Sequence, residues 1–207
     1  MCVDAARTLC CGPCQEAFKK KELQPRMEQA QAGQRTLFFV DAAHFVLAPF
    51  LGFVWSLTRL FIKASTGRKR FNVLGALNAM PHELITVTND TYINAQSVCD
   101  LLRRIAQLGF EVPITLVLDN ARYQKCRIVQ ELAETLDIEL LYLPAYSPNL
   151  NLIERLWKFV KTKCLYCKYY AEFSDFKHAW VRLTPPTNLN WIFYSHPVSR
   201  LLKKRGF

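Results

Sequence analysis

Three acidic residues stand where solubility alone does not explain an acid. Asp41 is embedded in the apolar run LFFVDAAHF, Asp119 closes ITLVLD, and Glu154 lies just inside the long amphipathic segment SPNLNLIERLWKFVKTKCLY. Each has an ordinary reading. Asp41 could be a turn acid, and Asp119-Asn120 could be a strand exit, because both residue types favour turns. Asn151 and Glu154 have the spacing of a capping box, with Asn151 as the cap and Glu154 reaching back. Taken together they suggest a site. Residues at strand ends of a sheet with parallel strands collect in one crevice. Three carboxylates held there repel one another, so such a cluster normally serves to hold divalent cations. An all-oxygen donor set selects hard ions, Mg²⁺ or Mn²⁺, over zinc. Two such ions about 3.5–4 Å apart can activate a water or a 3′-hydroxyl and stabilise the leaving oxygen of a phosphodiester.

The elements that must position these acids follow from the patterning. Residues 1–34 are polar and mixed in charge, as expected of a lead-in or linker helix ending near Gly33. From Thr36 the texture is β: LFFVDAAHF, then Phe45 to Trp55 as buried strands joined by a Pro49/Gly52 turn. WSLTRLFIKAS, a basic turn from Thr66 to Arg70, FNVLGALNA and ELITVTND follow, giving three or four antiparallel strands. INAQSVCDLLRRIAQLG repeats Val98, Leu101, Leu102, Ile105 and Leu108 at helical spacing and stops at Gly109. ITLVLDN and IELLYLPA are apolar strands buried on both faces, separated by the amphipathic helix RIVQELAETLD. A long helix begins near Asn151, and SDFKHAWVRL is a further one. The expected fold is α/β: a mixed sheet, antiparallel hairpins then parallel strands, with helices on both faces. One catalytic domain is expected over 35–183, followed by a basic tail over 184–207.

Composition narrows the function classes. The chain has 27 Lys and Arg against 17 Asp and Glu, a net charge of +10, and is half apolar. That excludes a disordered acidic tail and leaves a positive field that attracts polyanions. The apolar stretch from Leu37 to Trp55 approaches the length of a membrane span, but Asp41 and His44 interrupt it. The N-terminus lacks the layout of a signal peptide. No membrane association and a cytoplasmic location are therefore expected. Eight cysteines without a secretion signal read as reduced thiols. Cys11/Cys14 and Cys164/Cys167 have metal-ligand spacing, so a zinc site is the competing reading.

Basic residues near the acids are candidates for phosphate contacts, which position DNA without reading its sequence. They are Arg68, Lys69 and Arg70 in the expected turn, Arg122 after Asp119, and Arg155, Lys158, Lys161 and Lys163 on the helix that carries Glu154. A plain solvated face is the alternative for the helix residues, and a bare hairpin turn for Arg68 to Arg70. Trp157 could pack beneath the site or stack on DNA, and packing is the stronger reading. His44, three residues beyond Asp41, belongs on the opposite strand face, where a structural hydrogen bond suits it.

FFVDAAHF, LVLDNARYQK and LLYLPAYSPNLNLIERLWKFVK resemble the three acidic blocks of a DDE transposase, in the bacterial insertion-sequence branch of the mariner-like superfamily. The resemblance runs from about Gln24 to Trp180, and the 34 residues between Asp119 and Glu154 match the spacing of that branch. Leu152 and Gln124 depart from the family pattern, which often has Pro and His there. The resemblance implies a ribonuclease-H-like fold and Asp41, Asp119 and Glu154 as catalytic metal ligands for two Mg²⁺ or Mn²⁺ ions. It also implies cleavage at transposon ends and strand transfer into a TA target, with Asn120 orienting the carboxylate of Asp119 or a water. The expected partners are DNA, as transposon ends and as target, and a second copy of the chain in a homodimer. The expected location is a bacterial nucleoid. Family members carry a helix-turn-helix domain ahead of the first acid, whereas 40 residues precede Asp41 here. A separate N-terminal DNA-binding polypeptide is therefore a further expected partner. A catalytically silent DNA-binding remnant and a structure-selective nuclease of the same fold are the alternative functions.

Overall fold

Alternation along one strand organises the molecule. In the computed structural model, which describes residues 12–47, 57–58, 69–145, 147–166, 168–170 and 172–184, β1 runs from Thr36 to Leu47. Leu37, Phe39, Ala43 and Phe45 join one buried cluster, whereas Phe38 and Val40 join another. This is the period of two expected of a strand covered on both faces. Asp41 holds an odd position and so shares the face of Phe39 and Ala43.

β1 pairs antiparallel with β2 (Lys69–Asn78), which pairs antiparallel with β3 (Leu84–Asn89). On its other edge β1 is parallel to β4 (Ile114–Leu118), and β4 is parallel to β5 (Ile138–Tyr142). The order is β3-β2-β1-β4-β5, three antiparallel strands followed by two parallel ones, as the sequence implied. Lys69 and Arg70, expected in a turn, instead open β2 opposite Leu47 and Val46. Alternating long strands extend as far as their pairing partners allow, so charge at the end of a run does not mark a turn.

Helices cover both faces. Among the described residues six α-helices surround the sheet: α1 (Gly12–Phe18), α2 (Gln24–Gln31), α3 (Ala95–Ala106), α4 (Arg127–Thr135), α5 (Leu152–Leu165) and α6 (Phe173–Leu183). α3 and α4 bury Val98, Leu101, Leu102, Ile105, Val129 and Ala133 against the even face of β1. α3 starts at a capping box between Asn94 and Ser97 and ends before Gly109, whose φ of +66° suits glycine. Leu108, expected among the buried helical positions, lies past that end and is exposed. The odd face is covered by α5, by α6 and by the lead-in segment. That segment passes through a π turn (Lys19–Leu23) between α1 and α2 and stops near Gly33, at φ +71°. Expected as a linker, it buries Leu23, Met27 and Ala30 in the same cluster as Phe39 and Trp157.

The Pro49/Gly52 turn, most of WSLTRLFIKAS, Arg68, Cys11, Cys167 and the tail from Pro185 lie outside the described residues. Among the described residues no helix is long and apolar enough to cross a membrane.

Candidate active site

The parallel register brings the first two acids to one place. Phe39 pairs with Val117, and two residues further along each strand stand Asp41 and Asp119. Both keep the parity of that pair and belong to the face covered by α5. A 3-10 turn (Pro148–Leu150) leads into α5, and Glu154 sits in its first turn. The third acid thus descends from the covering helix onto the edge shared by the two strand-borne ones.

All three are half-buried and hold their protons more tightly than free carboxyls. Asp41 is pushed up to about 7. Burial is the main cause, and the charges of Asp119 and Glu154 add to it against the Ala42 backbone N–H and the Lys161 ammonium. Burial also raises Asp119, opposed by a hydrogen bond from Asn151. Glu154 is raised by burial and by the Asp119 charge. Three acids that repel in this way are a donor set suited to a hard cation. Among the described residues no three acid, His or Cys side chains are already drawn together at ion-binding distance. The observation that fits a bound cation is instead an orphaned polar atom: Asn151, whose Nδ2 lies 3.5 Å from Asp119 Oδ1, leaves its own Oδ1 buried with no hydrogen-bond partner among the described residues.

An open groove of about 510 Å³ runs over two of the acids, Asp41 and Glu154, and is also lined by Trp157, Lys158, Lys161 and Tyr166 among others. Glu154, Lys158 and Lys161 fall at i, i+4 and i+7, one stripe of α5. The basic face expected of this helix is therefore divided. Lys158 and Lys161 border the groove, whereas Lys163 is exposed with its Nζ 5.9 Å from the Phe159 ring centroid, and Arg155 is half-buried. Arg122 is exposed in the turn after Asp119 and is not part of the groove wall. Lys69 and Arg70 are exposed at the start of β2, Lys69 lying 6.0 Å from the Phe173 ring centroid.

Aromatic packing lies beneath the acids. Trp157 is 3% exposed and stands edge-on to Phe45, a packing role in line with the stronger reading. Its indole fits because residue 75, opposite Asp41 on β2, is glycine: a Cβ there would lie 2.5 Å from Trp157 Cζ2. His44 meets Asn72 through Nδ1 at 2.7 Å, the structural bond expected of it. Asn120 spends its amide on the Leu143 carbonyl, tying the exit of β4 to that of β5, and not on Asp119. Asn151 occupies the helix-start position, but its side chain makes no capping bond. It donates instead to the Val40 carbonyl at 3.2 Å and to Asp119 Oδ1 at 3.5 Å, so the capping-box reading fails. Tyr123, which sequence reasoning passed over, is pushed up to about 12 by burial and by the charges of Asp41 and Asp119. In the competing zinc reading, Cys164 is buried and Cys14 exposed, while their partners lie outside the described residues.

Residues 36–177 match the family model of the DDE superfamily endonucleases. The 39 kDa protein of insertion element IS630 from Shigella sonnei is 28% identical over 130 residues, covering 61% of this chain and 38% of that protein. The solved Mos1 transposase paired-end complex with left transposon end has a TM-score of 0.61 at 14% identity, covering 89% of this chain and 59% of that one. The Mos1 mariner paired end complex with Mn gives 0.59 at 15% identity, with 88% and 59% covered. At these identities the structural likeness is one of fold. The chain spans well under half the length of the curated relative that it matches.

Proposed function

Since the chain belongs to the DDE superfamily endonucleases, with a mixed sheet of the ribonuclease-H-like kind, we propose that it is the catalytic domain of an insertion-sequence transposase. The reaction is metal-dependent cleavage of DNA at the element's ends and transfer of the freed strand into target DNA at TA sites. One observation carries this reading: Asp41, Asp119 and Glu154 come from three separate elements to one half-buried edge, where burial raises all three and neighbouring carboxylate charge adds to it for Asp41 and Glu154.

Asp41, Asp119 and Glu154 would hold the divalent cation, Mg²⁺ or Mn²⁺, as one ion or two; the metal present in one of the Mos1 complexes is consistent with this. When bound, such ions activate an attacking water or 3′-hydroxyl and stabilise the leaving 3′-oxygen. The chain's own residues supply the rest. Lys158 and Lys161 flank the acids along the groove and would grip the phosphates on either side of the scissile bond. Trp157, packed closely over Gly75, would form the floor from which Asp41 and Glu154 project. Arg122 and the residue pair Lys69-Arg70 would meet more distant phosphates; Arg68, which precedes that pair in sequence, is a further candidate outside the described residues. The partners in this reading are transposon-end and target DNA and a second copy of the chain, all within the bacterial nucleoid. In this reading residues 35–183 carry the catalytic groups, with the lead-in segment packed against them, and the tail over 184–207 adds positive charge.

The test is strand transfer by the full 207-residue chain, using precleaved element ends, a TA-containing plasmid and Mg²⁺ or Mn²⁺. Joining by the wild type that disappears in a folded Asp119→Asn variant is the expected result. Equal joining by that variant would sink the assignment. Cleavage confined to RNA–DNA hybrids or branched DNA would replace transposition with a structure-selective nuclease.

A further inference from the structure

Beneath the acids lies one buried polar side chain to which neither packing nor helix capping assigns a role. Asn151 is wholly buried at the junction of β1, the exit of β4 and the head of α5. Its Nδ2 faces two acceptors, the Val40 carbonyl and Asp119 Oδ1. Both are oxygens, so only the donor end of the amide can face them, and the orientation of the side chain follows from chemistry. Two favourable interactions are given up in the process. The first turn of α5 goes without the cap bond that asparagine ordinarily supplies, and Oδ1 is left buried without a partner among the described residues.

We propose that Asn151 is a positioning residue that ties the Asp119 carboxylate to the β1 backbone one residue before Asp41, and so sets the spacing of the two strand-borne acids for cation binding. Because Glu154 lies three residues further along the same helix, the tie also fixes how α5 presents the third acid. This inference rests on the reading of Asp119 as a metal ligand. Partners that orient metal-binding carboxylates typically change affinity by about 10–100-fold when removed.

Serine separates this role from a merely structural one. Ser starts helices about as well as Asn, but its short hydroxyl cannot span both Val40 and Asp119. Mn²⁺ binding to the full chain would be followed by electron paramagnetic resonance of the free ion, alongside thermal melting, for wild type, Asn151→Ser, Asn151→Ala and Asp119→Asn. The expected result is an Asn151→Ser protein that melts like wild type yet binds Mn²⁺ about 10–100-fold more weakly, with Asn151→Ala losing at least as much. Binding by the folded Ser variant within about twofold of wild type would overturn the proposal. Failure of the Ser variant to fold would overturn it too, by showing that the amide holds the fold and not the acid. Unchanged Mn²⁺ binding in Asp119→Asn would remove the ligand reading itself, and this inference with it.

Discussion

Asp41 carries the strongest electrostatic signature of the three acids, and its sign has a measurable consequence. Its carboxyl is raised from 3.8 to about 7, so the fold favours the protonated form. Stability from that preference is fully present below the unfolded value and is lost as pH rises through about 7. In a chelating buffer the wild type should therefore lose melting temperature relative to Asp41→Asn between about pH 4 and about pH 8. Asparagine keeps the shape of the acid but never ionises. Added Mg²⁺ should shrink that gap, because a bound cation favours the ionised carboxylate. Melting curves for the two proteins that stay parallel across the range would show that neither burial nor Asp119 and Glu154 govern Asp41. Tyr123 belongs to the same electrostatic neighbourhood, since Asp41 and Asp119 help to hold its phenol protonated. A neutral phenol there adds no further negative charge to the crowded edge.

Among the elements, the contact between β2 and α5 sets the floor of the site. Gly75 has no Cβ, and one placed there would lie 2.5 Å from Trp157 Cζ2 and 3.1 Å from Ile153 Cδ1. Trp157 is buried against Phe45, so shifting it disturbs that edge contact. Gly75→Ala should therefore cost about 1–3 kcal/mol through overpacking. Adding Trp157→Phe, which removes the colliding ring atoms, should recover part of it. Urea denaturation of both single variants and the double variant measures the coupling, and strict additivity would show that the two residues do not meet. Such a contact is not legible in sequence, because a glycine inside a strand pattern says only that something is close, and not what. The strands and helices themselves were legible, since FFVDAAHF and INAQSVCDLL bury one or two faces at their own period. The Asn151–Glu154 spacing misled for a related reason. The local pattern fits a capping box, but the competing acceptor, the Val40 carbonyl, is 111 residues away in sequence. Arg68 to Arg70 misled more simply, because two of the three charges extend a strand and do not turn it.

At the scale of the whole molecule, the lead-in segment decides where the folding unit begins. Sequence texture separated it at residue 34, because its surface is polar and its few apolar residues are spread over a helical period. In the structure, Leu23 and Met27 are buried in the cluster that holds α5 on the sheet. Arg26 and Arg35 also bind Glu139 on β5, Arg26 at 2.6 Å, and these partners hold Glu139 down at about 2. Two forces could thus anchor the segment, and their magnitudes differ. Glu139 is 37% exposed, so solvent screens its ion pairs and their net worth stays within about 1 kcal/mol. Its contribution is present above the ordinary carboxylate range and is lost as pH falls through about 2. Leu23 is fully buried, and truncating a core leucine typically costs about 2–5 kcal/mol. Leu23→Ala should therefore lower the denaturation midpoint several times more than Glu139→Gln at neutral pH. Both variants should unfold in a single transition if the segment and the sheet are one cooperative unit. A separate early transition in Leu23→Ala, leaving the sheet intact, would return the boundary to residue 34 and make the segment a docked linker.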